Sequence, residues 1–283
     1  MWTWTPKISA TTYEEIAAYR PRYASFFDDV ATDIDEFVST GEISRARSLA
    51  SLSRQHLNHN QYPLFFTGDL DAQFVLVHLN PKQPDDLTER FQGPFPVKTF
   101  EEYFDVCRHF GERMYGASSP RTHKSQFDHK QIRFLRPFGV IEFLVGEAKE
   151  ATFTNLERVI DHKLQLELIP YGSDNFKAGA FAPRVVAPYF ERVMSVITAR
   201  PRRYIMFCGA VFGPLLREFI VETHTFKLRK IDGTFEQMKS EFASLSISFD
   251  SCQVRAGWCR SWARQGIPMV PYANEVLRRY DAQ

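Results

Sequence analysis

Phe74-Val75-Leu76-Val77-His78-Leu79 is a short apolar, β-branched run that stops abruptly at Asn80-Pro81-Lys82. A run of this length without polar alternation reads as a strand buried on both faces, and the break after it aims a polar loop off the carboxyl end. Leu164–Ile169 ends in the same way at Pro170-Tyr171-Gly172-Ser173, Tyr204–Cys208 ends at Gly209, and Ile267–Val270 ends at Pro271-Tyr272. Between the second and third of these runs, Val185, Val186, Tyr189, Phe190, Val193, Met194 and Ile197 recur at helical spacing. Strand, helix and strand at that separation form a βαβ unit, whose right-handed crossover makes the sheet parallel. Leu245–Phe249 adds a further strand. The expected class is α/β, a central, mostly parallel sheet flanked by helices.

Working outward, residues 11–60 carry apolar positions at helical spacing (Tyr13, Ile16, Phe26, Phe27, Val30, Ile34, Phe37), with a stop at Gly41 and a second helix from Ile43 to about His56. Phe100–Phe110 reads as a further helix. No repeat, Gly/Ser linker or low-complexity tract divides the chain, so one α/β domain over 1–283 is expected: a helical cover at 1–62 and a sheet-containing core at 63–283.

With 44% hydrophobic and 24% charged residues in 283, the composition excludes disorder. The absence of a long apolar run or an h-region leads to the expectation of a cytoplasmic protein without a membrane partner. Cys107, Cys208, Cys252 and Cys259 form no CxxC pair and have no His at zinc-finger spacing, which favours free thiols over a metal, an Fe–S cluster or a disulfide. The formal charge of +1 hides a gradient: residues 1–80 carry four more acids than bases, and residues 201–283 four more bases than acids. Arg108–Arg136 is locally basic, which suits either phosphate attraction or a solvated face.

In an open parallel sheet, ligands bind beyond the carboxyl ends of the strands. Four polar clusters are expected there: Asn80-Pro81-Lys82, Glu167 with Tyr171-Gly172-Ser173, Gly209–Gly213, and Tyr272-Ala273-Asn274. Neither GxGxxG nor GxxxxGK[ST] occurs, and no GxSxG follows a strand, so nucleotide-loop and serine-hydrolase classes lack support.

On these residues the chain resembles the uracil-DNA glycosylase superfamily. Val75–Pro81 looks like that family's first motif, Leu166-Glu167 stands where it often has a base-reading Asn, and Ile205–Ala210 is similar to its third strand. Val270-Pro271-Tyr272-Ala273-Asn274 takes the place of its His-Pro-Ser-Pro-Leu. The resemblance spans Phe65 to the C-terminus and is near-literal only at Asn-Pro. It implies that Asn80 orients a hydrolytic water against the sugar, with Pro81 fixing the turn; an amide cannot itself accept the proton. At Glu167 the chain departs from the family. An ionised carboxylate only accepts hydrogen bonds, which points to a base with a donor edge such as a cytosine derivative. The rival readings are a general base of raised pKa and an ion pair with an arginine. The family's last His is absent, so Tyr272 or Asn274 would have to assist the leaving base, unless Asn274 is a helix N-cap.

His78, Pro81, Phe91, Phe95, Tyr171, Ser173, Tyr272 and Asn274 are therefore the expected base-binding residues, with Asn80 and Glu167 catalytic. Lys82, Arg121, His123, Lys124, Arg255 and Arg260 are the expected nucleic-acid contacts, and Trp258 and Trp262 are expected to share a helix face. The expectation is a monomeric DNA glycosylase without cofactor or metal. Two alternatives stay open: an N-glycosidase acting on nucleosides or another small molecule, and a non-catalytic nucleic-acid-binding module.

Overall fold

The computed structural model describes residues 8–53, 55–81, 97–119, 125–144, 149–173, 182–226, 242–249, 252–259, 262 and 269–281. The helices are α1 (Ala10–Thr40), α2 (Ser44–Ser53), α3 (Phe100–Arg108), α4 (Phe110–Tyr115), α5 (Gln126–Leu135), α6 (Lys149–His162), α7 (Pro183–Thr198), α8 (Phe212–Leu216) and α9 (Met269–Asp281). The strands are β1 (Phe66–Gly68), β2 (Phe74–His78), β3 (Leu164–Glu167), β4 (Tyr204–Cys208), β5 (Ile220–Phe226), β6 (Phe242–Phe249) and β7 (Cys252–Cys259).

The sheet order is β1-β3-β2-β4-β7-β6-β5. Its centre, β3-β2-β4-β7, is parallel. The margins are antiparallel: β1 runs against β3, and β5-β6-β7 form a meander. The expected parallel sheet is thus the core of a mixed one. Alternation along each central strand sorts the side chains to two faces. Val75, Val77, Leu164, Leu166, Ile205, Phe207 and Ala256 pack with Phe26, Phe27, Phe104 and Phe190 from α1, α3 and α7. Phe74, Leu76, Tyr204, Met206 and Cys259 pack with Phe134, Val159, Tyr272 and Val276 from α5, α6 and α9.

The chain leaves β2 for β3 through α3, on the α7 face, and then α4–α6, with α5 and α6 on the other; it then crosses back past β2 to β4 through α7, opposite α5 and α6. Right-handed crossovers in opposite directions require this, and they part between β2 and β4. A crevice at the carboxyl ends of those two strands follows, the usual place for a ligand in such a sheet.

The N-terminal cover is built by local signals. A Ser9–Thr12 capping box starts α1, Pro21 and the non-helical Tyr23 mark its kink, and Gly41, at φ 77°, closes it with its N–H on the Phe37 carbonyl. At the other margin, Gly68 has φ 90°, and a Cβ there would meet the Lys163 carbonyl oxygen at 1.9 Å. Only glycine lets β1 approach the entry to β3 this closely. Among the described residues, no helix is long and apolar enough to cross a membrane.

Two expected elements are corrected. Met269 and Val270 do not close a strand; they open α9, whose apolar stripe is long enough to pack as a helix. The Arg255–Cys259 stretch is strand rather than helix and is the last member of the parallel core. Trp258 and Trp262 consequently fall on opposite faces of the sheet, one with the α7 and α8 side and the other against Phe134. Period-2 burial at Val254, Ala256 and Trp258 against Gly257 and Cys259 overrides the four-residue spacing of the tryptophans.

Candidate functional site at the carboxyl ends of the central strands

Strand β2 ends at His78, but its pairing with the β3 side continues. Leu168 N–H donates to the His78 carbonyl at 2.8 Å and Ile169 N–H to the Leu79 carbonyl at 2.9 Å. The loop that follows β3 is fastened on both sides, with Ser173 N–H on the Pro81 carbonyl (3.1 Å) and Asn58 N–H on the Gly172 carbonyl (2.8 Å). Asn80 sits inside this clasp. Its Nδ2 reaches the Ser173 hydroxyl at 2.8 Å, the Pro81 carbonyl at 3.3 Å and the Tyr171 carbonyl at 3.4 Å. Two of those acceptors are carbonyls that can only accept, so the amide cannot be flipped, and Oδ1 is the end turned away from the clasp. Half-buried Asn80 therefore presents a fixed carbonyl oxygen beside the crevice.

One step down the strands, on the face covered by α5 and α9, a polar row crosses the sheet. His78 is the register partner of Glu167, Val77 pairs with Phe207 and so sets Cys208 level with His78, and Cys208 pairs with Cys259. All four are buried. Glu167 Oε1 accepts from Gln165 Nε2 at 2.7 Å, whereas Glu167 Oε2 and His78 Nε2 are buried without a hydrogen-bond partner. Burial raises the Glu167 carboxyl to about 8, against smaller downward pulls from Gln165 and Lys163. It lowers the His78 imidazole to about 3, helped by nearby Lys163, and pushes the Cys208 thiol well above its usual range. At neutral pH the acid carries its proton, the imidazole is neutral, and the thiol is a poor nucleophile.

Aromatic rings enclose the row. Phe127 lies edge-on to His78 at 4.6 Å between centroids and Trp262 at 6.4 Å; the buried Trp262 Nε1 is a third polar atom without a partner. Beside it, a cavity of ≈ 210 Å³ is lined by Phe127, Gln165, Thr67, Asp128 and Tyr115 among others. Among the described residues, no group of three His, Cys, Asp or Glu is placed to hold a metal ion.

Asn80, Pro81 and Ser173 meet in the clasp beyond β2, and His78 and Glu167 pair within the sheet two residues before it. Tyr171 contributes only its carbonyl: its ring is fully buried and its hydroxyl donates to Asp33 Oδ2 of α1 at 2.8 Å. Tyr272 is a core residue of α9 with its hydroxyl on Met206 Sδ, and Asn274 is exposed inside α9, neither an N-cap nor a pocket residue. The cluster expected at Tyr272–Asn274 is therefore not at a strand end. Glu167 has no arginine partner among the described residues; Gln165 occupies that role. Exposed Arg255 stands four residues before Cys259, roughly 13 Å back along β7 from the carboxyl end. Arg108 and Arg113 from the basic stretch are tied to Glu15 and Asp105. Lys82, Phe91, Phe95, Arg121, His123, Lys124 and Arg260 lie outside the described residues.

Lys163, Gln165, Gln131 and Trp262 were not expected at the site. The first two, with Glu167, form a polar i, i+2, i+4 pattern along β3, opposite Leu164, Leu166 and Leu168, a signal present in the sequence. No family model matches the chain, and no curated protein matches it.

Proposed function

We propose that this chain is a hydrolase that cleaves the N-glycosidic bond of a base extruded from DNA, a divergent relative of the uracil-DNA glycosylase superfamily in fold and reaction. The observation that carries the reading is the pinned amide of Asn80 at the carboxyl end of β2, two residues beyond His78, the register partner of buried Glu167, whose carboxyl burial raises to about 8. Asn80 Oδ1 accepts a hydrogen bond from water and aims its oxygen at C1′; the water adds there as the bond to the base breaks, and the proton it sheds passes to solvent, since the amide cannot take it. The base leaves with the bonding electrons, and a proton donor facing it lowers the barrier. With Oε1 held by Gln165, Glu167 has one oxygen left, and its Oε2–H supplies that donor.

The protonated acid also revises the expected base. A carboxylate would accept from an exocyclic amine, whereas a carboxylic acid donates to a ring carbonyl, so the favoured base presents a carbonyl oxygen to Glu167. A panel of duplexes containing uracil, mismatches and modified cytosines, scored for alkali-labile breaks, tests the reading, with free nucleosides as the small-molecule arm. Cleavage of nucleosides alone favours the N-glycosidase alternative. Salt-sensitive DNA binding without breaks on any duplex favours the binding module.

A further inference from the structure

The Glu167 carboxyl terminates a hydrogen-bonded chain in which each partner restricts the next. Gln165 Oε1 lies 3.0 Å from Lys163 Nζ and 3.1 Å from Gln131 Nε2, while Gln165 Nε2 lies 2.7 Å from Glu167 Oε1. Lys163, fully buried, donates as an ammonium, which burial lowers to about 8, and its other contact is the Thr67 hydroxyl at 3.5 Å. The Gln131 amide is itself oriented by the Asp128 carboxylate, which takes its Nε2 at 3.2 Å and would repel its oxygen. With two donors converging on it, the oxygen of Gln165 cannot face Glu167.

We infer that Lys163 and Gln131 are positioning residues that lock the Gln165 amide, so that it donates to Glu167 Oε1 and leaves Oε2 as the one oxygen the acid can turn toward a ligand. This deepens the glycosylase reading and rests on it for the ligand, a base with a carbonyl edge. The lock itself is a property of the protein alone. An acid whose Oε1 already accepts a hydrogen bond keeps its proton on Oε2, so the lock selects both the protonated atom and its direction. Without it the amide could turn, Oε2–H could spend its hydrogen bond inside the protein, and nothing would be left for the base.

The ionisable groups that bear on Glu167 are few. Lys163 lies along β3, His78 beside it on β2 and Cys208 beyond that on β4, while Asp128 of α5 and Asp161 of α6 act on Lys163. Of these, Lys163 is the cation that favours ionisation of Glu167, and the Gln165 amide is the donor that does the same.

The test is a ¹³C NMR titration of the Glu167 carboxyl in the whole chain labelled at glutamate, in wild type and in Gln165→Met, Lys163→Met and Gln131→Met. The wild-type midpoint is expected near 8. Gln165→Met and Lys163→Met should each raise it by about 1 pH unit or more, because each removes a group that favours the ionised form. Gln131→Met, the mildest change, should abolish the protection of the Gln165 side-chain amide protons against exchange, and it serves if either buried-strand variant fails to fold. A role in packing alone would lower stability and leave both readouts where they were; unmoved midpoints with full amide protection overturn the lock. No substrate enters the titration. Lost protection of the Gln165 amide in Gln131→Met, beside the shifted midpoints, upholds the lock even if no base is released, and unmoved midpoints with full protection refute it even if bases are.

Discussion

His78 and Glu167 are register partners on parallel strands β2 and β3, both buried, and each ends in a polar atom, Nε2 and Oε2, that no partner satisfies among the described residues. Both are held neutral by burial, one by losing its proton and the other by keeping it. Their effects on stability therefore have opposite pH dependence.

Burial raises the Glu167 carboxyl from its usual 4.5 to about 8. Its contribution is complete below pH 4.5, where folded and unfolded chains are both protonated, and is lost as pH rises through 8. Glu167→Gln keeps the shape and the acceptor for Gln165 but removes this loss. Urea unfolding should show the variant close to wild type at pH 5 and more stable at pH 8.5, by on the order of 4 kcal/mol at most. Equal pH dependence in the two proteins would show that the carboxyl is solvated.

His78 has the complementary window. Its imidazole is lowered from 6.5 to about 3, so its contribution is present above pH 6.5 and is lost as pH falls toward 3. His78→Phe, which retains an aromatic contact with Phe127, should shift the acid-unfolding midpoint followed by circular dichroism to lower pH. An unchanged midpoint would place the acid sensitivity elsewhere.

Gly68→Ala tests the close approach of β1 to β3. The added methyl would stand 1.9 Å from the Lys163 carbonyl oxygen and 2.6 Å from that of Ile160, at a φ of 90° that L residues rarely adopt. A loss of about 3 kcal/mol or more is expected in thermal or urea unfolding, since backbone rather than a flexible side chain must yield. Alanine tolerated without cost would mean that β1 is not held against the Lys163 turn.

Tyr171→Phe separates scaffold from site. The variant strands the Asp33 carboxylate, which is buried and raised to about 6, and should cost about 1–3 kcal/mol. Because only the Tyr171 carbonyl touches Asn80, the rate of base release from a cleaved duplex should stay within about twofold of wild type. A large loss of rate at unchanged stability would return the ring to the site.

The parallel strands β2, β3 and β4 were legible because each is a short apolar run closed by Asn-Pro, Pro-Tyr-Gly or Gly, and α1, α2 and α7 because their apolar positions repeat at helical spacing. Strand β7 was not. Its Gln253, Arg255 and Gly257 interrupt the apolar pattern, since one face of the strand gives way from the solvent-exposed Arg255 to the crowded contact of Gly257 with Tyr204. With β7 missed, the last strand was assigned to Ile267–Val270 and a strand end to Tyr272 and Asn274, whereas Met269–Asp281 form α9. Asn80 and Glu167 were singled out from their place at strand ends and from the resemblance, and the structure puts both at those ends. A raised carboxyl at Glu167 was open to reading because its cause is burial in an apolar strand; the hydrogen-bonded chain behind it was not, because Gln131 joins from α5, 34 residues from Gln165.

The most direct measurement is alkali-labile strand breakage on the panel of modified duplexes with wild type and Asn80→Ala, both checked for unaltered thermal unfolding. Breaks at a base with a carbonyl edge, reduced about 10²–10³-fold by the substitution, are what a water-orienting amide predicts. Wild type without breaks on any duplex, or Asn80→Ala as active as wild type, would contradict it.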